Sequence, residues 1–426
     1  MLEINYLRNS RDEALTRLDK RMLPNAAELV DKAIELDEIR RSTQAQLDAK
    51  QAEMNLLSKS IGVLMKEGKH DEAVSAKTGT AQLKEEIHLL REQMDSADTS
   101  LRDQLCLIPN TPHKSVAKGK SEADNVEVFN AGVLPDLAAD AKPHWELGEH
   151  YGLLNMELGV KLTGSGFPVY MGQGAKLQRA LISFFLDRAI AAGYQEVIPP
   201  HLVNADSAFG TGALPDKEGQ MYHATEDDLY LIPTAEVPIT NLYRDMVVAE
   251  EQLPIKMAGY TPCFRREAGS YGKDVRGLNR VHQFDKVEIV RIEHPDRSYA
   301  GLDEMIEHVK GLLESLELPY RILRLCGGDT SYASALTYDF EVYAGAQKRW
   351  LEVSSCSNFE TFQTNRLKLR FKDDNKKNRL AHTLNGSALA LARIVAALLE
   401  NNQEDNGIVI PKALVPYTGF ERIENK

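Results

Sequence analysis

Cysteine is scarce and scattered in this chain. Cys106, Cys263, Cys326 and Cys356 form no Cys-x-x-Cys pair, which argues against a zinc ribbon or a disulfide framework and makes a reducing, cytoplasmic setting the expectation. No apolar run approaches the roughly 18 residues of a membrane span, so no membrane association is expected. The opening Met1-Leu2-Glu3-Ile4-Asn5-Tyr6 carries an early acid and no apolar core, so no secretory leader is expected either. Positive charge is also in short supply: 51 Lys and Arg face 63 Asp and Glu, a net charge of −12. That disfavours indiscriminate binding to nucleic acid but leaves room for a local basic surface that grips one particular nucleic acid. Between Ala26 and Leu101 there is no proline and hardly an aromatic side chain.

What fills that proline-free stretch is a heptad seam. Ala73, Ala76, Thr80, Leu83, Ile87, Leu90, Met94, Ala97 and Leu101 alternate spacings of three and four. Ala26, Leu29, Ala33, Leu36, Leu47, Met54, Leu57, Ile61 and Leu64 do the same, with Arg40, Thr43 and Lys50 interrupting. Glu67-Gly68-Lys69-His70-Asp71 reads as the turn between two long helices, so an antiparallel coiled-coil hairpin is expected over about 26–105. An isolated hairpin of this kind is more often a dimerisation or scaffolding device. Its distal part, however, carries Lys59, Lys66, Lys69, Lys77 and Lys84 against Glu67, Asp71 and Glu72, a composition suited to a phosphate backbone.

With 426 residues, 43% hydrophobic and 27% charged, the chain has room for two or three domains with a real core. We expect a helical arm over 1–108, a linker over 109–145, where Pro109, Pro112, Pro135 and Pro143 sit among polar residues, and a catalytic body over 146–426. Helices are expected at 174–192, 298–316 and 386–402, and strands near 195–198, 229–233, 259–265, 284–291, 321–326, 337–343 and 349–354. Hairpin-linked strands with helices between them make the class α+β, with a mainly antiparallel sheet and flanking helices.

Four clusters carry chemistry. In Pro262-Cys263-Phe264-Arg265-Arg266-Glu267, followed by Val281-His282-Gln283-Phe284-Asp285-Lys286-Val287-Glu288, strand alternation would put Arg265 and Glu267 on one face, one for a phosphate and the other for an amine. Gly269, Gly272 and Gly277 mark a tight loop between the two strands. A charged surface hairpin explains Arg265 and Glu267 equally well when they are taken alone. Thr383-Leu384-Asn385-Gly386-Ser387-Ala388-Leu389-Ala390-Leu391-Ala392-Arg393 reads as small residues opening a helix, with Arg393 a turn and a half inside. A buried Arg there needs an anion or an aromatic face, unless it snorkels to solvent. Along Leu351-Glu352-Val353-Ser354-Ser355-Cys356, alternation puts Glu352 with Ser354 and Ser355 opposite; a strand-end Glu with hydroxyls suits magnesium or a structural cap. Thr234-Ala235-Glu236 offers a hydroxyl and a carboxylate to an ammonium group.

These clusters, in this order and together with the arm, resemble bacterial seryl-tRNA synthetases, which are class II aminoacyl-tRNA synthetases, over nearly the whole chain. The stretch 259–288 resembles motif 2 of that class, 383–393 resembles motif 3, and Gly193–Pro200 resembles motif 1, whose proline lies at the dimer interface. The resemblance implies a serine–tRNA ligase that uses ATP and Mg2+, acts on tRNA(Ser), extends in the family to tRNA(Sec), and works as a cytoplasmic homodimer. It implies that Arg265 holds the ATP α-phosphate and the serine carboxylate, with Arg266 alongside, and that Glu267 meets the adenine amino group. Val281 would give a backbone contact to ATP, and Phe284 and Arg393 would sandwich the adenine. Glu352 and Ser355 would take the metal, with Val353 and Ser354 beside them on the phosphate side. Thr234, Ala235, Glu236, Glu288, Thr383, Asn385 and Ser387 would surround serine. Arg265, Glu352 and Arg393 are the residues expected to carry catalysis.

The chain departs from the family at Arg266, where a small polar residue is common, at Ala390 and Ala392, where glycines are frequent, and at Gly166-Phe167-Pro168, which replaces a stretch often containing Arg. From sequence, two other classes stay open. One is a scaffold or RNA-binding protein with an inactive synthetase-like body. The other is a relative that loads an amino acid onto a carrier protein, a group that tends to lack the long hairpin.

Overall fold

A computed structural model of the chain describes residues 1–216, 218–267 and 276–424. Gly269 and Gly272, expected in the loop after Glu267, lie outside the described residues. The chain divides into two compact units, one made of Leu2–Asp19 and Leu23–Pro109, the other of Met1, Lys20–Met22 and Asn110–Lys426. Among the described residues no helix is long and apolar enough to cross a membrane.

The first unit is dominated by α1 (Ala26–Lys66) and α2 (His70–Leu105). Gly68, at φ +75°, makes the turn between them. The heptad seam is the contact line, since every seam position in both helices is buried or half-buried. Antiparallel register is fixed by cross-helix pairs: Gln104 Nε2 donates to Leu29 O at 2.9 Å, and Lys50 Nζ meets Glu86 at 2.8 Å. Two of the three polar interruptions of the seam are accounted for by ion pairs, and Thr43 returns its hydroxyl to Ile39 O at 2.9 Å in its own helix. Lys50 pairs with Glu86, and Arg40 pairs with Asp37, a fully buried carboxylate that Arg8 also contacts. At 1.5 Å per residue, the 41 residues of α1 span roughly 60 Å.

The second unit is built on an eight-stranded sheet: β1 (Val126–Ala131), β2 (Gln195–Glu196), β3 (Ile255–Phe264), β4 (Gln283–Glu293), β5 (Tyr320–Arg324), β6 (Leu336–Ala344), β7 (Arg349–Asn358) and β8 (His382–Ala390). The order is β1-β5-β6-β7-β8-β4-β3-β2, antiparallel throughout except for the parallel β2–β3 pair. Three helices cover one face: α3 (Gly172–Ala191), α4 (Ser298–Ser315) and α5 (Leu391–Asn401). Their apolar stripes, including Leu181, Phe185, Met305, Val309, Ile394 and Leu398, share one core with Ile289, Phe340, Cys356 and Leu384 of the sheet. The opposite, more polar face is left to line a cavity.

The structure corrects three expectations. The stretch 109–145 is more than a linker, because Val126–Ala131 pairs with β5 as the edge strand of the main sheet. The helix expected from 386 begins only at Leu391, so Thr383–Ala390 is the central strand β8 and Arg393 stands in the first turn of α5. Thr383, Asn385 and Ser387 do alternate with Leu384, Gly386 and Ala388, but the small residues at the end of the strand run straight into the Ala- and Leu-rich start of α5 and read as one helix. The strand β3 ends at Phe264, so Arg265 and Glu267 lie beyond it. Gln220 takes the backbone there: Arg266 N–H donates to Gln220 O at 2.9 Å and Glu267 N–H to Gln220 Oε1 at 3.1 Å, with Glu267 at φ +48°.

Candidate active site

Alternation along β4 and β8 sorts their side chains. Val287, Ile289, Leu384 and Ala388 enter the core, whereas Lys286, Asn385 and Ser387 line a cavity of about 570 Å³ on the other face. Arg265, Glu267, Val281, Phe284, Glu352, Val353, Ser354, Ser355 and Arg393 line the same cavity, as do Thr234 and Glu236. Residues up to 159 positions apart in sequence therefore meet at one concave, mostly polar surface.

Glu352 and Ser355 share this wall because of a bulge. Phe340 pairs with Ser354 and Glu341 with Glu352, which leaves Val353 as an extra residue in β7. Strict alternation would have put Ser355 on the face opposite Glu352; the bulge reverses the phase, so Val353 and Cys356 both enter the core while Glu352, Ser355 and Ser357 face the cavity. Asp339, opposite Ser355 on β6, also lines the cavity, with Oδ1 buried and without a partner among the described residues. Burial and the neighbouring Glu352 charge push its carboxyl well above the usual carboxylate range, against a hydrogen bond from Ser355.

At one end of the cavity, Arg393 Nε donates to Asn279 O at 2.9 Å and its Nη1 to Glu352 O at 2.7 Å. The Arg265 guanidinium sits 5.3 Å from the Phe284 ring centroid and donates to Pro233 O at 3.2 Å. Glu267 accepts from Arg280 Nε at 2.5 Å. At the other end, Thr234 Oγ1 donates to Glu288 Oε2 at 2.8 Å, Lys286 Nζ donates to Thr234 Oγ1 at 2.8 Å, and Lys286 and Glu288 form an ion pair. Asn385 Nδ2 bridges Glu236 at 2.9 Å and Glu288 at 3.0 Å. Gln363 Nε2 donates to Glu236 at 2.6 Å, and its Oε1 accepts from Thr383 Oγ1 at 2.6 Å. Burial, and then the Glu288 charge, push the Glu236 carboxyl up to about 7.

Four expected site residues do not reach the cavity wall. Glu288 and Thr383 are buried behind it, Glu288 hydrogen-bonded to Thr234 and Asn385 and Thr383 to Gln363. Ala235 lies in a separate apolar cluster under the site. Arg266 turns away: its Nε donates to Met221 O at 3.0 Å and its guanidinium lies 4.7 Å from the Tyr222 ring centroid. Sequence reasoning missed Lys286, Gln363, Arg280 and Asp339. Lys286 alternates with Glu288 on β4, so its presence on the cavity face was legible; Gln363 and Asp339 carry no local signal. The cavity can neutralise a polyanion at Arg265 and Arg393, and an ammonium at Glu236.

Residues 220–402 match the tRNA synthetase class II core domain (G, H, P, S and T), and residues 1–112 match the seryl-tRNA synthetase N-terminal domain. The chain is 49% identical over 425 residues to the serine–tRNA ligase of Salinibacter ruber, covering 99% of both. It is 46% identical over 427 residues to that of Neisseria meningitidis, covering 98% of both. The crystal structure of the seryl-tRNA synthetase from Pyrococcus horikoshii complexed with ATP superposes with a TM-score of 0.92 at 33% identity over the full length of both chains. The chain therefore belongs to the seryl-tRNA synthetases, within the class II aminoacyl-tRNA synthetases.

Proposed function

We propose that this chain activates L-serine with ATP and transfers the serine to the 3′ end of tRNA(Ser), with tRNA(Sec) as a second acceptor. The observation that carries the reading is the one cavity in which Arg265, Arg393, Glu352, Ser355 and the Glu236–Asn385 pair converge. In the first step a serine carboxylate oxygen attacks the α-phosphorus of ATP; the bond to the bridging oxygen breaks, and seryl-adenylate and pyrophosphate form. Arg265 reaches both the phosphate and the carboxylate, so it holds the two anions together and offsets the charge that develops. In the second step the 3′-hydroxyl of the terminal ribose attacks the acyl carbon and AMP leaves. No side-chain nucleophile is required.

Serine's ammonium group sits against Glu236, and Glu288 sets the charge of that pocket from behind. Glu267 exchanges Arg280 for the adenine amino group when nucleotide enters. Phe284 and Arg393 form the two faces of the adenine slot, with the backbone of Val281 at its edge. Oxygen donors alone, from Glu352, Ser355 and the orphaned Asp339 Oδ1, suit Mg2+. When bound, the ion would neutralise phosphate oxygens; Glu352 and Ser355 would hold it.

The remaining roles follow the division of the chain. Residues 1–108 form the tRNA-binding arm, with the lysines near the α1–α2 turn facing the phosphate backbone, and 146–426 the catalytic body. Two copies associate around motif 1, where Ile198 is 84% exposed and Ile190 and Leu202 are also uncovered. All four cysteines are buried free thiols, which suits a reducing cytoplasm. The test is ATP–pyrophosphate exchange with serine, threonine and alanine in parallel, followed by charging of tRNA(Ser) and tRNA(Sec). Exchange that depends on serine alone supports the reading. No exchange with any of the three would leave a scaffold with an inactive body.

A further inference from the structure

Arg393 depends on a carbonyl that is itself suspended from a buried polar network. Its Nε donates to Asn279 O, on the segment that returns toward β4. Among the described residues, hydrogen bonds to His144 and Gln347 tie that segment to the body. Leu278 N–H donates to His144 Nε2 at 2.8 Å, and Asn279 Nδ2 donates to Gln347 Oε1 at 2.7 Å. Both lead to Glu400: His144 Nδ1 lies 2.7 Å from Glu400 Oε1, and Gln347 Nε2 donates to the same oxygen at 2.7 Å. Glu400 also accepts from the backbone N–H of His144 at 3.0 Å and of Gln347 at 3.1 Å. It belongs to α5, the helix that carries Arg393 two turns earlier, so the chain of bonds closes on itself.

The chemistry of the circuit fixes the state of the imidazole. Nε2 accepts from an amide, so it carries no proton, and the proton sits on Nδ1, facing the carboxylate. The His144 and Glu400 side chains are both 0% exposed. Gly277, at φ +65°, makes room for the ring, since a Cβ there would stand 2.4 Å from His144 Nε2. Two shape-matched apolar side chains would fill this space without the cost of burying a carboxylate. What they would not do is set the height and direction of the Asn279 carbonyl.

We propose that His144 and Glu400 are positioning residues for nucleotide binding: through Leu278 and Gln347 they hold the Asn279 carbonyl that aims the Arg393 guanidinium across the adenine slot. The inference rests on the reading of Arg393 as the adenine platform. It separates the two substrates, because the network touches the nucleotide wall at Leu278, Asn279 and Arg393 and none of the groups around Glu236.

The experiment measures serine-dependent ATP–pyrophosphate exchange and, separately, ATP binding by calorimetry without serine. His144→Gln places an amide oxygen near the Nε2 position and keeps the bond from Leu278; His144→Asn keeps only a donor near Nδ1. His144→Asn is expected to raise KM for ATP, and weaken ATP binding, about tenfold with KM for serine unchanged. His144→Gln is expected to stay within about threefold of the parent. In an Arg393→Gln background, adding His144→Asn should change neither value further. Equal effects of Asn and Gln, a parallel rise in both KM values, or full additivity with Arg393→Gln would each overturn the proposal. A parent protein that binds ATP but shows no serine-dependent exchange would instead sink the underlying functional reading, while the calorimetric comparison still decides the role of His144.

Discussion

Glu236 shows how one side chain can sit at the balance point between folding and binding. Its carboxyl is pushed up to about 7 by burial and by Glu288, and the ionised form is what an ammonium ligand needs. As pH falls through 7 the group takes a proton and loses that charge, so kcat/KM for serine should fall toward tenfold per pH unit between pH 7 and 5.5. Glu236→Gln should flatten that limb while lowering the plateau. Stability runs the other way. The folded-state value lies above the unfolded one, so the contribution is fully present below about 4.5 and lost as pH rises through 7. Glu236→Gln should therefore raise the Tm of the ligand-free protein at pH 8, as calorimetry can check. Glu288 differs because its charge is matched by Lys286, Thr234 and Asn385. Glu288→Ala should abolish serine-dependent exchange and also destabilise the fold by about 3–5 kcal/mol, since it leaves Lys286 buried and unpaired. Glu288→Ala combined with Lys286→Met should recover much of the stability but none of the exchange. Recovery of both would remove Glu288 from the serine pocket.

At the level of elements, the sequence made the hairpin seam and the β3–β4 pair legible, because strong periodicity and a charged loop leave few alternatives. It did not reveal β8. Asn385 and Ser387 line the cavity with Thr383 buried behind it, while Leu384 and Ala388 enter the core under the helices; the alternation is present, but its small residues lead without a break into the Ala- and Leu-rich α5 and imitate the start of that helix. Nor did it reveal the Val353 bulge, which is a matter of pairing with β6 and leaves no mark in the β7 residues themselves. The site residues could be named by resemblance, yet whether each reaches the cavity depends on such register. Gly386 makes this testable. A Cβ there would meet Cys356 Sγ at 2.9 Å and Met305 Cε at 3.1 Å, at the join of β7, β8 and α4. Gly386→Ala should cost about 1–3 kcal/mol in denaturant unfolding, and Cys356→Ala should restore part of it. Simple additivity of the two would mean that the sulfur is not the obstacle.

At the scale of the whole molecule, the proposed division of labour between the two compact units predicts two separable activities. Every residue that lines the cavity belongs to the unit containing 110–426, and the hairpin is closed by its own seam and its own ion pairs. Its two ends also come together, because Gln104 hydrogen-bonds to Leu29, so a short Gly/Ser bridge can replace residues 28–104 without stretching the chain. The shortened protein should retain serine-dependent pyrophosphate exchange within about threefold of the parent, because adenylate formation uses no group on the hairpin. Charging should fall by roughly 100-fold or more in kcat/KM for tRNA, the size expected for losing the several phosphate contacts proposed for the hairpin. The salt dependence should move with it: the parent's charging efficiency should drop steeply with added KCl and the shortened protein's only weakly. Neutralising Lys59, Lys66, Lys69, Lys77 and Lys84 together should reproduce the shallow slope in the full-length chain. An unchanged slope in that variant would shift the tRNA contact away from the distal lysines, and undiminished charging by the shortened protein would remove it from the hairpin altogether.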